Sequence, residues 1–257
     1  MEDSKIGVKV ENLSKSFGSD QIIKNLNFKI MNGEFMTLLG SSGCGKTTTL
    51  RLILGSIFPD EGKIYLDEED MTDIPCHKRN VGIVYQNYAL FPHMTAYRNI
   101  AFGLEVKNEK DIETKVQNIM EKLNILGLED RYPNQLSGGQ QQRIALARTL
   151  VVEPKVLLLD EPLSNVDAKL RYELRSEIKT LQKSTGVTTL YVTHDQEEAL
   201  IISDRIAIME NGEIIEVGSP GDLYFNPEKE YTRDFLEIVE KKLENLEDFR
   251  KKRGKIR

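Results

Sequence analysis

The most specific chemical pattern lies in residues 40–47, which read GSSGCGKT. Two glycines bracket four residues and a Lys-Thr pair follows, which is the pattern of a loop that holds phosphate groups. The apolar residues 35–39 before it indicate a buried strand, and residues 48–54 after it indicate a helix. Glycine lets successive backbone N–H groups point at phosphate oxygens, and the helix start adds positive charge. We therefore expect Lys46 to contact the β- and γ-phosphates of a nucleotide and Thr47 to bind Mg²⁺.

Two acidic residues extend this pattern. Residues 156–159 are apolar and predict a short strand, and Asp160 and Glu161 follow it directly. A carboxylate at the tip of a central strand beside a phosphate loop binds Mg²⁺, so Asp160 is the candidate metal ligand. Glu161 is then placed to orient or deprotonate a water molecule in line with the γ-phosphate. The chemistry that these residues predict is hydrolysis of a nucleoside triphosphate.

Gln86 and His194 also stand at the ends of predicted strands, at residues 80–86 and 188–193. In doubly wound sheets, ligands bind beyond the carboxyl ends of the strands. We therefore expect both side chains at the same site, with Gln86 close to a metal-bound water and its loop facing a partner.

A second helix start suited to anions lies at the sequence LSGGQ, residues 136–140. Ser137 is a good helix cap, and Gly138 and Gly139 expose backbone N–H groups before a helix predicted over residues 140–151. A phosphate loop neutralises a nucleotide from one side only. The N–H groups at the LSGGQ segment form a second set of donors, for which the same chain supplies no second nucleotide. Two subunits arranged head to tail would place each LSGGQ segment over the other's γ-phosphate, with two nucleotides at the seam. Loss of that phosphate on hydrolysis would then open the pair.

Two aromatic features each leave two interpretations open. Phe17 lies between predicted antiparallel strands at residues 8–13 and 21–30, and it can stack on a purine ring or fill a core or turn position. Aromatic residues and methionine crowd residues 88–97, where core packing and a docking groove for a protein partner are both consistent with the sequence.

Composition limits the class of protein. The chain has 257 residues, of which 30% are charged and 39% hydrophobic, and its formal net charge of -6 argues against a general nucleic-acid binder. Cys44 and Cys76 lack metal-ligand spacing, so a reducing cytosol is expected. No apolar run approaches the roughly 20 residues that cross a bilayer, and the N-terminus does not match a signal peptide. If the protein works at a membrane, a partner is expected to hold it there.

Taken together, GSSGCGKT, Gln86, LSGGQ, VLLLDE, SNVD and His194 resemble, in this order, the nucleotide-binding subunit of ATP-binding-cassette (ABC) transporters, over about residues 8–225. The resemblance implies an α/β fold: a P-loop NTPase (RecA-like) core with an N-terminal antiparallel β subdomain and an inserted α-helical subdomain. Helical periodicity within residues 109–128 agrees with such an insertion. We expect an ATPase domain over residues 1–234, with the helical subdomain at about residues 88–152.

The resemblance also assigns roles to individual residues. It makes Glu161 the catalytic carboxylate, gives His194 a contact with the γ-phosphate, and places Asp167 at the dimer seam. Metal binding falls to Thr47, Gln86 and Asp160, and Gln86 also couples the site to a partner. The residues that it assigns to ATP binding are Phe17, Gly40, Ser41, Ser42, Gly43, Cys44, Gly45, Lys46, Thr47, Thr48, Ser137, Gly138, Gly139 and Gln140. Those of the LSGGQ segment act on the nucleotide held by the opposite subunit. ATP and Mg²⁺ are the implied cofactors.

Within the family, YALFPHMT, DEPLSNVDAKLR and VTHDQEEAL resemble importer subunits, and LDEEDMTDIP with the phosphate-loop region is most similar to polyamine importers. The implied partners are a second copy or a related cassette, permease subunits docking near residues 86–97, and indirectly a substrate-binding protein. The implied location is peripheral, on the cytoplasmic side of the cell membrane. Alternatives are import of sugar, phosphonate, iron or another inorganic ion, or a soluble ABC ATPase in DNA repair or translation. A binding-only module would lack Lys46 or Glu161, and both are present.

Residues 235–257 are too few for the β-rich regulatory domain that follows the cassette in many similar importer subunits. Leu236, Val239, Leu243 and Leu246 form one helical stripe, and a strongly basic tail ends the sequence. This segment can pack on its own core, mediate self-association or lie near anionic lipid, or the sequence can be truncated.

Overall fold

The computed structural model describes residues 5–237, apart from the side chains of residues 168 and 169. The strands are β1 Ile6–Phe17, β2 Asp20–Met31, β3 Phe35–Gly40, β4 Glu61–Leu66, β5 Glu69–Asp70, β6 Val81–Val84, β7 Val156–Asp160, β8 Thr188–Thr193, β9 Arg205–Glu210 and β10 Glu213–Gly218. The α-helices are α1 Lys46–Leu54, α2 Ala96–Val106, α3 Ile112–Lys122, α4 Gly138–Leu150, α5 Ala168–Thr185, α6 Gln196–Ile202 and α7 Pro220–Phe225. Residues 230–237 are also helical up to the last described residue.

The strands form two sheets. The first is antiparallel with the order β2-β1-β4-β5, and the second has six strands in the order β10-β9-β3-β8-β7-β6. In the second sheet β9, β3, β8, β7 and β6 run parallel, and β10 pairs antiparallel with β9. Every residue of β3 and β8 is buried, as expected for parallel strands covered on both faces. The predicted α/β fold with an N-terminal antiparallel sheet is therefore confirmed.

The parallel strands bring the candidate site residues to one edge. Because β3, β8, β7 and β6 are consecutive neighbours, their carboxyl ends lie side by side. The phosphate loop follows β3, His194 follows β8, Asp160 ends β7, and Gln86 lies two residues beyond β6. Sheet topology alone thus gathers residues that are far apart in the sequence.

The chain between β6 and β7 forms α2, α3 and α4, and the first of these helices was not predicted from the sequence. Thr95 caps α2 by accepting a hydrogen bond from a backbone N–H of the first turn. Ala96, Ile100 and Leu104 are buried at helical spacing, and the buried Asn99 side chain is hydrogen-bonded to the backbone of residues 91–95. The polar Asn99 interrupts the apolar pattern of these buried positions, so the sequence alone does not indicate this helix.

Arg79 fixes the far end of the helix that begins at the phosphate loop. Its side chain is 1% exposed, and its guanidinium donates to the carbonyls of Leu52 and Ile53 at the end of α1 and to those of Thr72 and Ile74. Burial lowers the pKa of Arg79. A cation at this position satisfies carbonyls that a helix end leaves without partners. Because α1 is anchored at Arg79, the loop at its other end is carried on a rigid element.

Across residues 5–237, none of the helices combines the length and apolar character needed to span a lipid bilayer. The predicted C-terminal helix and basic tail lie outside the described residues from position 238 onward. Leu236, at the start of that segment, is buried in a small apolar cluster with Leu39 and Leu223.

Candidate functional site

The phosphate loop has the backbone that its sequence predicts. Gly45, directly before α1, has a φ of 108°, a value that favours glycine. A Cβ atom at Gly40 would lie 2.2 Å from the backbone oxygen of Met209 on β9, so no side chain fits there. Both positions therefore require glycine if the loop is to curl between β3 and α1.

Lys46 is folded onto its own loop. The ammonium group donates to the carbonyls of Gly40 and Ser41, at 2.8 Å each, and the side chain is buried. Cys44 Sγ lies 3.8 Å from Lys46 Nζ. The ammonium group thus already lies within the loop that would receive phosphate oxygens, and it can exchange two carbonyl partners for them.

Cys44 offers a chemical test of this loop. Burial raises the pKa of its thiol, and the nearby Lys46 only partly opposes this effect. Because the thiolate is the reacting form, labelling by N-ethylmaleimide should be slow at neutral pH and should accelerate by about tenfold per pH unit below the raised pKa. We expect labelled protein to lose ATP binding and prior ATP binding to slow labelling, both measured by mass spectrometry and nucleotide fluorescence in a Cys76→Ser background.

The matched control is a variant with Cys44→Ala and Cys76→Ser, which should bind ATP equally well before and after treatment with the reagent. Full ATP binding after complete modification of Cys44 would contradict the assignment of this loop.

Thr47 and Asp160 form a pair of oxygen donors beside the loop. Thr47 Oγ1 donates to Asp160 Oδ1 at 3.2 Å, joining the first turn of α1 to the end of β7. Burial raises the pKa of Asp160, with a smaller contribution from the charge of Glu161, while the bond from Thr47 opposes the shift. One hydroxyl and one carboxylate suit Mg²⁺, which takes a few protein oxygens and completes its shell with water and phosphate oxygens. The residues therefore fit the predicted metal.

Glu161 and His194 contact each other at the next position along the edge. His194 Nδ1 lies 3.0 Å from Glu161 Oε2, and the His194 side chain is 54% exposed. Glu161 has a φ of 45°, which is uncommon for a residue with a side chain, while its N–H stays bonded to Val192 in the sheet. Strained backbone at this position presents the carboxylate beyond the strand end, where a reacting group would lie.

Gln86 is exposed, and its loop is held by Asn165, from the SNVD segment, and by Arg148. Asn165 Nδ2 donates to the carbonyl of Gln86 at 2.9 Å. Arg148 on α4 donates to the carbonyls of Tyr88 and Ala89, both of which have positive φ. The sequence marks Asn165 as part of SNVD, but it gives no signal for either contact. The acceptor of Asn165 lies 79 positions away, and those of Arg148 lie 59 and 60 positions away. These contacts connect the Gln86 loop to residues 164–167 and to the helix that starts at LSGGQ.

The LSGGQ segment starts α4 as predicted, with a capping box. Gln140 N–H donates to Ser137 Oγ at 3.3 Å, and Ser137 N–H donates to Gln140 Oε1 at 2.9 Å. Gly138 is exposed. A Cβ atom there would lie 3.9 Å from the backbone oxygen of Asn165 and 4.0 Å from the Tyr88 hydroxyl. This helix start is thus exposed to solvent beside residues 164–167, and it is not part of the phosphate loop's own strand edge.

The two aromatic features behave differently. Phe17 is 50% exposed at the end of β1, which argues against the core interpretation. Tyr88 is buried in the core, whereas Phe91 is half-buried, lies 4.9 Å from the partly exposed ring of Phe102 and has the Arg148 guanidinium 5.3 Å from its centroid. The core interpretation therefore holds for Tyr88, whereas the docking groove stays a prediction for the more exposed part of residues 88–97.

Proteins similar to this chain include one solved structure and two curated sequences. The fold matches the dimeric structure of a post-hydrolysis state of the ATP-binding cassette MJ0796 bound to ADP and Pi, with a TM-score of 0.73 and 31% sequence identity, over 83% of this chain and 98% of that chain. The spermidine/putrescine import ATP-binding protein PotA of Acetivibrio thermocellus is 52% identical over 231 residues, covering 89% of this chain and 66% of PotA. The Fe(3+) ions import ATP-binding protein FbpC of Fusobacterium nucleatum subsp. nucleatum is 49% identical over 233 residues, covering 90% of this chain and 63% of FbpC.

The fold and the strand-edge residues define a phosphate-loop nucleotide-binding protein. The sequence model of the ABC transporter family matches residues 23–164, which include the phosphate loop, the LSGGQ segment and both acidic residues. The chain belongs to the ABC transporter family. It spans somewhat less than two thirds of the length of these two curated relatives, at 66% and 63%.

Proposed function

We propose that this chain is the ATP-hydrolysing subunit of an ABC importer. The observation that carries the proposal is the convergence of Lys46, the Thr47–Asp160 pair and the Glu161–His194 pair at one edge of the parallel sheet. Together these residues can bind phosphate, hold a metal and act on a water molecule, which are the parts that phosphoryl transfer to water requires.

Each residue has a defined part in hydrolysis. Lys46 leaves its two loop carbonyls and pairs with the β- and γ-phosphates of ATP. Thr47 and Asp160 would hold Mg²⁺, which would neutralise charge on the phosphate oxygens when bound. Glu161 accepts a proton from the attacking water. His194 contacts the Glu161 carboxylate, orients that carboxylate and donates a hydrogen bond toward the γ-phosphate.

The active unit that we infer is a head-to-tail pair of chains. Ser137, Gly138 and the exposed start of α4 present N–H groups and a hydroxyl to solvent, away from the phosphate loop of their own chain. In a two-fold symmetric pair, the helix start of each chain would lie over the γ-phosphate of the nucleotide that the other chain's phosphate loop holds. The dimeric state of the solved cassette bound to ADP and Pi supports the pairing of two copies. Hydrolysis removes the charge that bridges the seam, so the pair opens.

A membrane partner is proposed to dock on the partly exposed surface formed by Phe91, Pro92, His93 and Phe102, where the Arg148 guanidinium lies against the Phe91 ring. The contacts of Arg148 and Asn165 with residues 86–89 give a direct route from this patch to the ATP site. We infer a peripheral position on the cytoplasmic face of the membrane and polyamine as cargo. The name of PotA supports polyamine, and the name of FbpC keeps Fe³⁺ as the second candidate.

Protein-concentration dependence of ATP hydrolysis tests the proposal. Because each site needs two chains, the rate per chain should rise with protein concentration before it levels off at full dimerisation. A rate per chain that is constant over a range in which gel filtration shows only monomer would contradict the paired site. Absence of hydrolysis, in the free chain and in the complex captured with its permease, would contradict the ATPase function itself.

A further inference from the structure

Four charged side chains form a cluster behind His194, in which Arg175 and Glu198 are buried and Arg171 and Asp195 are partly exposed. Arg175 Nη2 lies 3.5 Å from both Asp195 Oδ2 and Glu198 Oε1. Arg171 Nη1 lies 3.6 Å from Asp195 Oδ2, and Arg171 Nε lies 3.9 Å from Glu198 Oε1. Arg175 is 8% exposed and Glu198 is 4% exposed. Two arginines on α5 thus face two carboxylates at the start of α6, and the cluster is neutral overall.

Stability alone is a weak explanation for this cluster. Its ion-pair distances exceed the roughly 2.7–2.9 Å of strong charge-assisted hydrogen bonds. Buried ion pairs with loose geometry do not recover the cost of removing the charges from water. The Nε–H groups of Arg171 and Arg175 also have no hydrogen-bond partner within the described part of the chain. Hydrogen bonds connect the cluster to the turn that carries His194 on one side and to residues 164–167 on the other, and these contacts indicate a positioning role.

One side of the cluster holds the turn that carries His194. Glu198 Oε2 accepts hydrogen bonds from the hydroxyls of Tyr191 and Thr193, both at 2.8 Å. Thr193 Oγ1 in turn accepts from the Asp195 N–H at 3.0 Å. The residues on both sides of His194 are thereby tied to Glu198.

The other side holds residues 164–167. Arg171 Nη2 donates to the Val166 carbonyl at 3.1 Å. In the same segment, Ser164 Oγ donates to the Glu161 carbonyl at 2.9 Å, and Asn165 holds the Gln86 carbonyl. A cavity of about 80 Å³ lies between the two turns; it is lined by Glu161, Ser164, Arg171, Thr193, His194, Asp195 and Glu198.

We propose that Arg171 is a positioning residue for the Glu161–His194 pair, through its bond to Val166 and its place between Asp195 and Glu198. Arg171 fixes the distance between residues 164–167 and the His194 turn, so that both catalytic side chains reach the γ-phosphate together. Arg175 already faces both carboxylates, and the feature that distinguishes Arg171 is its hydrogen bond to Val166 in residues 164–167. This inference rests on the proposed ATPase function.

The test separates positioning from charge balance. Arg171→Met leaves one arginine against two carboxylates and should lower both thermal stability and turnover. The double variant Arg171→Met with Glu198→Gln is neutral again, because Arg175 then faces a single carboxylate, that of Asp195. The amide oxygen introduced at position 198 can still accept from Thr193. We expect the double variant to regain most of the wild-type Tm, while kcat stays about tenfold or more below wild type and KM for ATP changes less than about twofold.

Arg171→Lys is the matched control for charge. Lysine keeps the positive charge, but a single ammonium group lacks the planar fork that reaches Val166 and both carboxylates at once. Its kcat should therefore fall toward that of the double variant while its Tm stays close to wild type. Wild-type kcat in the double variant would overturn the proposal, because charge balance would then be the whole role of Arg171.

A second measurement needs no hydrolysis. The amides of Ser164, Val166 and Asp195 are hydrogen-bonded within the two turns. Their hydrogen exchange should be at least about fivefold faster in the double variant, whereas the Thr49 amide in α1 should exchange as in wild type. Unchanged exchange in both turns would overturn the inference. This measurement remains decisive even if the wild-type chain does not hydrolyse ATP, an outcome that contradicts only the proposed function.

Discussion

Replacing Glu161 by glutamine should lower ATP turnover by about 10²-fold or more while leaving ATP binding intact. The change removes the carboxylate that accepts a proton from water, but it keeps the side chain's size and a partner for His194, whose Nδ1 lies 3.0 Å from Glu161 Oε2. Lys46 and the Thr47–Asp160 pair, which hold the nucleotide, are untouched. Because the γ-phosphate then persists, the closed pair should persist with it.

Gel filtration with ATP and Mg²⁺ measures this outcome. We expect the Glu161→Gln variant to elute as a dimer and the wild type to return to monomer as ATP is consumed. Adding Lys46→Ala to the variant should remove ATP binding and with it the dimer, which makes the double variant the control. A Glu161→Gln protein that binds ATP yet remains monomeric at every concentration would count against nucleotide-driven closure.

The sequence predicted the elements of the site that depend on local pattern. The bounds of β8 agree with the strand predicted at residues 188–193, and the phosphate loop lies between β3 and α1 as its motif requires. The strand-end positions of Asp160 and His194 followed from buried runs that stop at a polar residue. Such runs are readable because burial on both faces of a parallel strand leaves a continuous apolar segment.

The contacts that hold the site together could not be predicted in the same way. Arg79, Arg148 and Arg171 are charged residues of a type that usually lies at the surface, yet each donates to backbone carbonyls. Arg79 and Arg148 reach carbonyls on distant segments, and Arg171 reaches Val166 in the turn before its own helix. Backbone carbonyls carry no side-chain signature, so nothing in the sequence marks the acceptor. Helix α2 was missed for a related reason: its buried positions include Asn99, a polar residue that serves the preceding loop and interrupts the apolar pattern.

A carboxylate introduced at the start of α4 should lower ATP hydrolysis by as much as the loss of the Glu161 carboxylate does. We expect Gly138→Asp to reduce hydrolysis by about 10²-fold or more, because the new charge would repel the γ-phosphate of the partner's nucleotide. The fold should tolerate it: a Cβ at Gly138 meets no atom closer than 3.9 Å, and an acidic residue in the first turn complements the helix dipole. Gly139 offers no such test, since its Cβ would lie 2.7 Å from the Leu170 side chain. Gly138→Ala, which adds volume without charge, should hydrolyse ATP at close to the wild-type rate.

Mixing two inactive variants decides whether the site is built across two chains. Gly138→Asp damages the helix start of one chain, and Lys46→Ala damages the phosphate loop of the other. In a head-to-tail pair of these chains, one site combines both damaged parts and the other combines the two intact ones. Random pairing should therefore restore about one quarter of wild-type hydrolysis, since half of the dimers are mixed and each has one intact site. If Ser137 and Gly138 instead served the nucleotide of their own chain, every site in the mixture would be damaged, and no ratio of the two proteins would recover activity.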